Sequence, residues 1–160
     1  MTKSLFTATS LGILILGATA WASQPAQSPV EKGLRRFLTG KVAPADVEIR
    51  YSDLHPLHGG LELTVLGTGA AEVKVVRQRA PRARNLTPVQ VRELVALLIE
   101  LQAWSQRTPE RQARPDESRA RLMIRIGTER SEIWEWYNDL SANRRIVRVR
   151  DRIRRLSIIE

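Results

Sequence analysis

Four short stretches of this chain alternate apolar and polar residues with a period of two, and nothing else in the sequence limits the fold as much. Val47, Ile49 and Tyr51 enclose Glu48 and Arg50. Leu61, Leu63 and Val65 enclose Glu62 and Thr64, and Val73 and Val75 alternate with Glu72 and Lys74. Ala120, Leu122, Ile124 and Ile126 alternate with Arg119, Arg121, Met123 and Arg125, and Ile133 to Tyr137 follows as an aromatic-rich stretch. A strand turns successive side chains to opposite faces, so this spacing predicts one buried and one wetted face in every stretch. Gly67-Thr68-Gly69 suits a hairpin between the second and third strands, and Gly127 to Arg130 turns the chain between the last two. His55 to Gly60 makes a longer turn between the first and second.

Three helices fit around these strands. Ser28-Pro29-Val30-Glu31 is spaced as a capping box with Pro at the first helical position, and Gly40 can end the helix after Leu38. Thr87-Pro88-Val89-Gln90 repeats the capping pattern ahead of a helix to about Trp104, with Val91, Leu94, Val95, Leu98 and Leu101 along one side. Ile146, Val149, Ile153 and Leu156 recur at helical spacing near the end. Arg77 to Arg84 and Thr108 to Ser118 hold Pro and charge and are read as loops. The expected fold is α+β: an antiparallel sheet of about five strands with helices packed on one face, in the order α-βββ-α-ββ-α.

The longest apolar run stands outside that plan. Lys3 opens a short positive start, Leu5 to Gly17 is largely apolar, and Ala20-Trp21-Ala22 ends it in a small-x-small cleavage pattern. Residues 1–22 therefore read as a secretory signal peptide, 23–45 as a leader and short helix, and 46–160 as a single α+β domain. A spanning helix needs about 20 mostly apolar residues, and no later stretch supplies them. The expected location is periplasmic or secreted. The chain has no Cys, which removes thiol chemistry and Cys-based zinc sites. Its 26 Lys+Arg outnumber 17 Asp+Glu for a net charge of +9. An exported basic protein meets anionic lipid, anionic wall polymer or acidic protein rather than nucleic acid.

Leu61-Glu62-Leu63-Thr64-Val65, Leu86-Thr87-Pro88 with Val91 and Leu94, and Leu122-Met123-Ile124-Arg125-Ile126 together resemble a group of small exported bacterial domains of unknown function. The resemblance spans Val47 to Leu156 and implies a three-stranded meander, a helix and a hairpin. It implies no activity.

Four groups of residues are candidates for chemistry. Arg144, Arg145, Arg148, Arg152 and Arg155 flank the last apolar stripe. On a helix they form a basic face that either binds anions or stays solvated while the stripe docks. Trp134 and Trp136 share a strand face with Glu132. They suit stacking on sugar rings, or else pack beneath a helix. Hydrolysis would need a second carboxylate, but Glu135 points to the other face and Asp139 lies past the strand end. Asp53, His55 and His58 fall within six residues and include the only two His of the chain. They are possible ligands for zinc, copper or nickel, set on a loop that does not align them. Arg77, Arg79, Arg82 and Arg84 precede a helix N-terminus, where an oxyanion can bind.

No cofactor motif is present, and no cofactor is expected. The expected function is that of an exported, non-catalytic and monomeric binding module. Its basic surface would engage an anionic component of the periplasm or cell envelope, or an acidic protein. The alternatives are a cell-wall glycan-binding protein or hydrolase using Trp134 and Trp136, and a domain that binds a protein along a sheet edge.

Overall fold

A computed structural model describes residues 27–76, 80–108 and 110–157. The signal segment 1–22, most of the leader, and Arg77 and Arg79 lie outside the described residues. Among these residues no helix is long and apolar enough to cross a membrane.

The chain folds as helix α1 (Pro29–Leu38), a 3-10 turn (Pro44–Asp46), and strands β1 (Val47–Ser52), β2 (Leu61–Leu66), β3 (Ala70–Val75) and β4 (Arg82–Asn85). Helix α2 (Pro88–Glu100), strands β5 (Arg119–Ile126) and β6 (Glu129–Trp136), a 3-10 turn (Tyr137–Ala142) and helix α3 (Arg144–Ser157) complete it. One antiparallel sheet holds every strand in the order β4-β3-β2-β1-β5-β6. The α+β class and the alternation of elements are as expected. Among the described residues the strand count is six, not five.

The added strand is β4, inside the stretch read as a basic loop. Arg-Ala-Arg-Asn has no apolar alternation to betray it, because it lies at the sheet edge and pairs only with β3. Charged residues on a short edge strand discourage a further strand from adding there. Arg84 pairs across to the inward-facing Ala71, and its guanidinium donates to the Leu156 carbonyl of α3. The edge is thereby tied to the last helix.

The other strands bury alternate residues as their spacing requires. Val47, Ile49 and Tyr51 stand beside Ile126, Ile124 and Leu122 across the β1–β5 pairing. Leu63 and Val65 continue that layer on β2. All belong to one core cluster with Leu34 of α1, Leu94 and Leu98 of α2, and Ile146, Val149 and Ile153 of α3. The helices therefore cover one face. Burying each such side chain contributes about 1.5–3 kcal/mol.

The two expected capping boxes behave differently. At α2 both halves form: Thr87 Oγ1 accepts from the Gln90 amide at 3.2 Å, and Gln90 Oε1 from the Thr87 amide at 2.8 Å. At α1 the box does not form. Pro29 opens the helix, but Ser28 makes no side-chain cap, and Glu31 instead accepts from Arg35 one turn on, at 2.9 Å. Asn143 caps α3, its Oδ1 accepting from the Ile146 amide at 3.2 Å. Gly60 closes the 53–60 turn at φ +135°, where a Cβ would run into the Asp53 carbonyl.

Candidate functional site

The sheet face away from the helices is where unspent chemistry collects. Strand alternation places Glu48 and Arg50 of β1, Arg119, Arg121 and Arg125 of β5, and Arg130, Glu132, Trp134 and Trp136 of β6 on it. Most of these charges are matched, within a strand or across to its neighbour. Glu48 accepts from Arg125 at 2.8 and 3.0 Å and from Arg50 at 2.6 Å. The Arg125 hydrogen bonds are the main reason its carboxyl sits below the usual range. Glu132 pairs with Arg130 at 2.8 Å and lies 3.9 Å from Arg121.

Thr108 and residues 110–118 rest against the β6 end of this face. Thr108 donates its hydroxyl to the Trp134 carbonyl. Arg111 spends all five N–H groups: Nε and Nη2 on Asp139, Nη1 and Nη2 on Glu117, and Nη1 again on the Gln112 carbonyl. The Glu117 side chain is closed off from solvent, and the Arg111 guanidinium beside it holds its carboxyl down to about 2. This pair anchors the segment.

Between that anchor and the strands lies a cleft of about 720 Å³, whose walls include Arg50, Ser118, Arg119, Arg121 and Trp136. Trp134 and Trp136 meet edge to face with centroids 5.2 Å apart. The Arg119 guanidinium lies 4.0 Å from the Trp134 ring centre and 4.5 Å from that of Trp136, and Arg111 lies 4.9 Å from Trp136. Trp136 is 5% exposed. Its Nε1 and the Ser118 Oγ are buried without a hydrogen-bond partner.

The residues singled out from sequence fall in three places. Trp134, Trp136 and Glu132 share the open face. The rings do not pack beneath a helix; their pairing with Arg121 and Arg119 sets them on the side the helices leave bare. Guanidinium groups occupy positions over the rings where a sugar would stack. Glu135 faces inward, accepting from the Trp136 amide at 3.0 Å and from Asn143 Nδ2 at 2.9 Å.

Among the described residues no three His, Cys, Asp or Glu side chains are grouped so as to hold a metal ion, and Asp53, His55 and His58 are not brought together in that way. Asp53 is 1% exposed and accepts from the Leu61 amide at 2.7 Å, the Tyr51 hydroxyl at 3.2 Å and Arg154 at 3.4 Å. His55 is buried against Tyr137 and His58, and its Nδ1 accepts from the Leu57 and His58 amides. These residues shape a turn. Tyr51, buried beside Asp53, has its hydroxyl pKa pushed well up, first by desolvation and then by that carboxylate.

The α3 arginines divide. The apolar stripe docks as predicted, and Arg148 and Arg152 reach across to Glu100 and Glu93 of α2. Arg144, Arg145 and Arg155 are exposed. Sequence reasoning missed Arg119, Arg111 and Ser118. The alternation does place Arg119 and Arg121 on one face, but which strands flank that face depends on the β1–β5 pairing, which spans some 70 residues of chain.

No family model matches the chain, and no curated protein or solved structure matches it either.

Proposed function

We propose that this chain is an exported, non-catalytic binding module of the bacterial periplasm or cell envelope, and that it engages an anionic partner through a basic surface. The leader pattern in residues 1–22 supports export. The contact surface we assign is the β5–β6 half of the open sheet face. One observation carries this choice: Arg119 is held over two indole rings on a face free of helices, with no carboxylate paired to it among the described residues. By contrast, Arg148 and Arg152 on α3 are paired to α2 carboxylates, which leaves Arg144, Arg145 and Arg155 for contact there.

The assignment of a binding rather than a hydrolytic role follows from the carboxylates. Glu132 is paired with Arg130, Glu117 with Arg111, and Glu135 lies on the opposite face. Glu117 and Glu132 both line the cleft, but each is held by a guanidinium and the Glu117 side chain is closed off from solvent, so neither stands free as the acid or base that glycoside hydrolysis requires. The test is retention of protein expressed from the full chain on poly-glutamate and on anionic and neutral vesicles over a salt series. Retention on an anionic support alone, falling as salt rises, is the expected result. Absence of retention on every anionic support at low salt would refute the reading.

A further inference from the structure

A separate cleft opens where the β5–β6 hairpin meets α1. It holds about 670 Å³ and shares no residue with the cleft on the open face. Gly33 brings its walls together: a Cβ there would lie 2.9 Å from Ile126 Cγ2, so α1 sits this close to the foot of the hairpin only without a side chain. Lys32 and Arg36 are four residues apart and fall on one side of α1. Arg36 Nη2 donates to the Lys41 carbonyl at 3.5 Å, which joins Lys41 to that side. At the hairpin, the Gly127 amide donates to the Asp46 carbonyl at 2.9 Å, and Glu129 follows two residues on. All five charged residues are exposed and line the cleft.

These charges are not spent on one another. Among the described residues no ion pair joins Lys32, Arg36 or Lys41 to Asp46, Glu129 or any other carboxylate, whereas Arg35 on the same helix is paired with Glu31. The positive charges follow α1 and its exit, and the negative charges gather at the hairpin. A ligand of one sign meets repulsion from one of the two sets, and a ligand of both signs satisfies each. Three cations suit a phosphate, which accepts on several oxygens, and two carboxylates suit a primary ammonium, which donates up to three hydrogen bonds. Val42 and Ile126 add apolar surface for a carbon link. We propose that this cleft binds a zwitterion in which a phosphate and a primary ammonium are joined by two carbons, the chemistry of ethanolamine phosphate. Lys32, Arg36 and Lys41 take the phosphate, and Asp46 and Glu129 take the ammonium. The free compound and a phospholipid headgroup both offer this group. Residues 23–28 are all that separate the apolar leader from Pro29, at most about 22 Å of extended chain, so a leader held in a bilayer keeps the cleft within reach of headgroups. The lipid source rests on that leader reading, and the charge pattern does not.

The experiment uses isotopically labelled protein from the full chain. Ethanolamine phosphate, glycerophosphoethanolamine, choline phosphate and inorganic phosphate are titrated at constant pH and ionic strength. The readout is the backbone amide resonances of Gly33 and Gly127. Ethanolamine phosphate is expected to shift them saturably. Choline phosphate, whose quaternary ammonium has no N–H to give, is expected to bind about fivefold more weakly, and inorganic phosphate likewise. Arg36→Gln with Lys41→Gln is expected to abolish the shift. Asp46→Asn with Glu129→Gln is expected to keep binding of the phosphate and erase the preference for ethanolamine over choline, which loss of structure alone would not do. Amide resonances away from the cleft check that both variants keep the fold. Binding of the glycerol diester as tight as that of the monoester assigns the site to a lipid headgroup, and binding of the monoester alone assigns it to the free compound.

Gly33 and Gly127 resonances that ethanolamine phosphate does not move overturn the proposal. So does equal affinity for ethanolamine phosphate, choline phosphate and inorganic phosphate, which reduces the cleft to a patch of positive charge. A preference for ethanolamine that survives Asp46→Asn with Glu129→Gln overturns it too. None of these results touches the open-face assignment, which uses other residues.

Discussion

Replacing Asp53 separates a structural carboxylate from a metal ligand, and the size of the effect follows from its partners. Asp53→Ala removes the acceptor of the Leu61 amide, at 2.7 Å, and of the Tyr51 hydroxyl, at 3.2 Å. Both residues are buried, Tyr51 completely. Each stranded donor costs about 1–3 kcal/mol. The Arg154 contact, at 3.4 Å and with 47% of that side chain exposed, adds little. The sum is about 2–6 kcal/mol, a large share of the 5–15 kcal/mol typical of a domain. Asp53→Asn keeps one carbonyl oxygen for the Leu61 amide and is expected to cost about half as much. The assay is denaturant unfolding, in which the midpoint moves at constant slope. A loss below about 1 kcal/mol for Asp53→Ala would refute the claim that this carboxylate holds the turn. Stability that dropped on adding a chelator would also refute it, because it would restore the metal reading.

Three further outcomes follow. Glu117 has its pKa lowered on folding, so its contribution is complete above the ordinary carboxylate range near 4.3 and is lost as pH falls toward about 2. Amide exchange within residues 110–118 should therefore rise over that window before the core strands open, and Glu117→Gln should flatten the dependence. Ile153→Ala, at a position with no exposure, should cost about 2–5 kcal/mol in thermal or denaturant unfolding if the α3 stripe is docked. A cost under about 1 kcal/mol would mean that α3 is loosely held. Asn143→Ala removes the α3 cap and one of the two donors to the inward carboxylate of Glu135, and should lower stability by about 1–3 kcal/mol with the loss of α3 amide protection first.

Much of this fold is written in local spacing. The inward residues of β1, β2, β3 and β5 sit at the alternate positions their pattern specifies, and the docked stripe of α3 is the one its helical spacing marks. Thr87 and Gln90 close the box their spacing predicts. At α1, Arg35 competes for Glu31 and wins. Strand β4 was illegible because an edge strand needs no buried side chain, and its Arg84 is read by a carbonyl at the far end of the chain. The site was half legible. Trp134, Trp136 and Glu132 share a face by period-two counting, but their partners do not. Arg119 comes through the β5–β6 register, and Arg111 through a segment anchored by Glu117 and Asp139. Composition drew notice to the α3 arginines, although Arg148 and Arg152 there are already matched by α2.

The surface assignment reduces to one comparison at equal net charge. Arg119→Gln with Arg121→Gln removes two charges from the open sheet face, and Arg144→Gln with Arg145→Gln removes two from α3. Retention on poly-glutamate is measured for both variants and the parent at low and moderate salt. The account predicts that the sheet-face pair loses retention while the helix pair keeps most of it. Loss in the helix pair with retention in the sheet-face pair would contradict it and place the contact on α3.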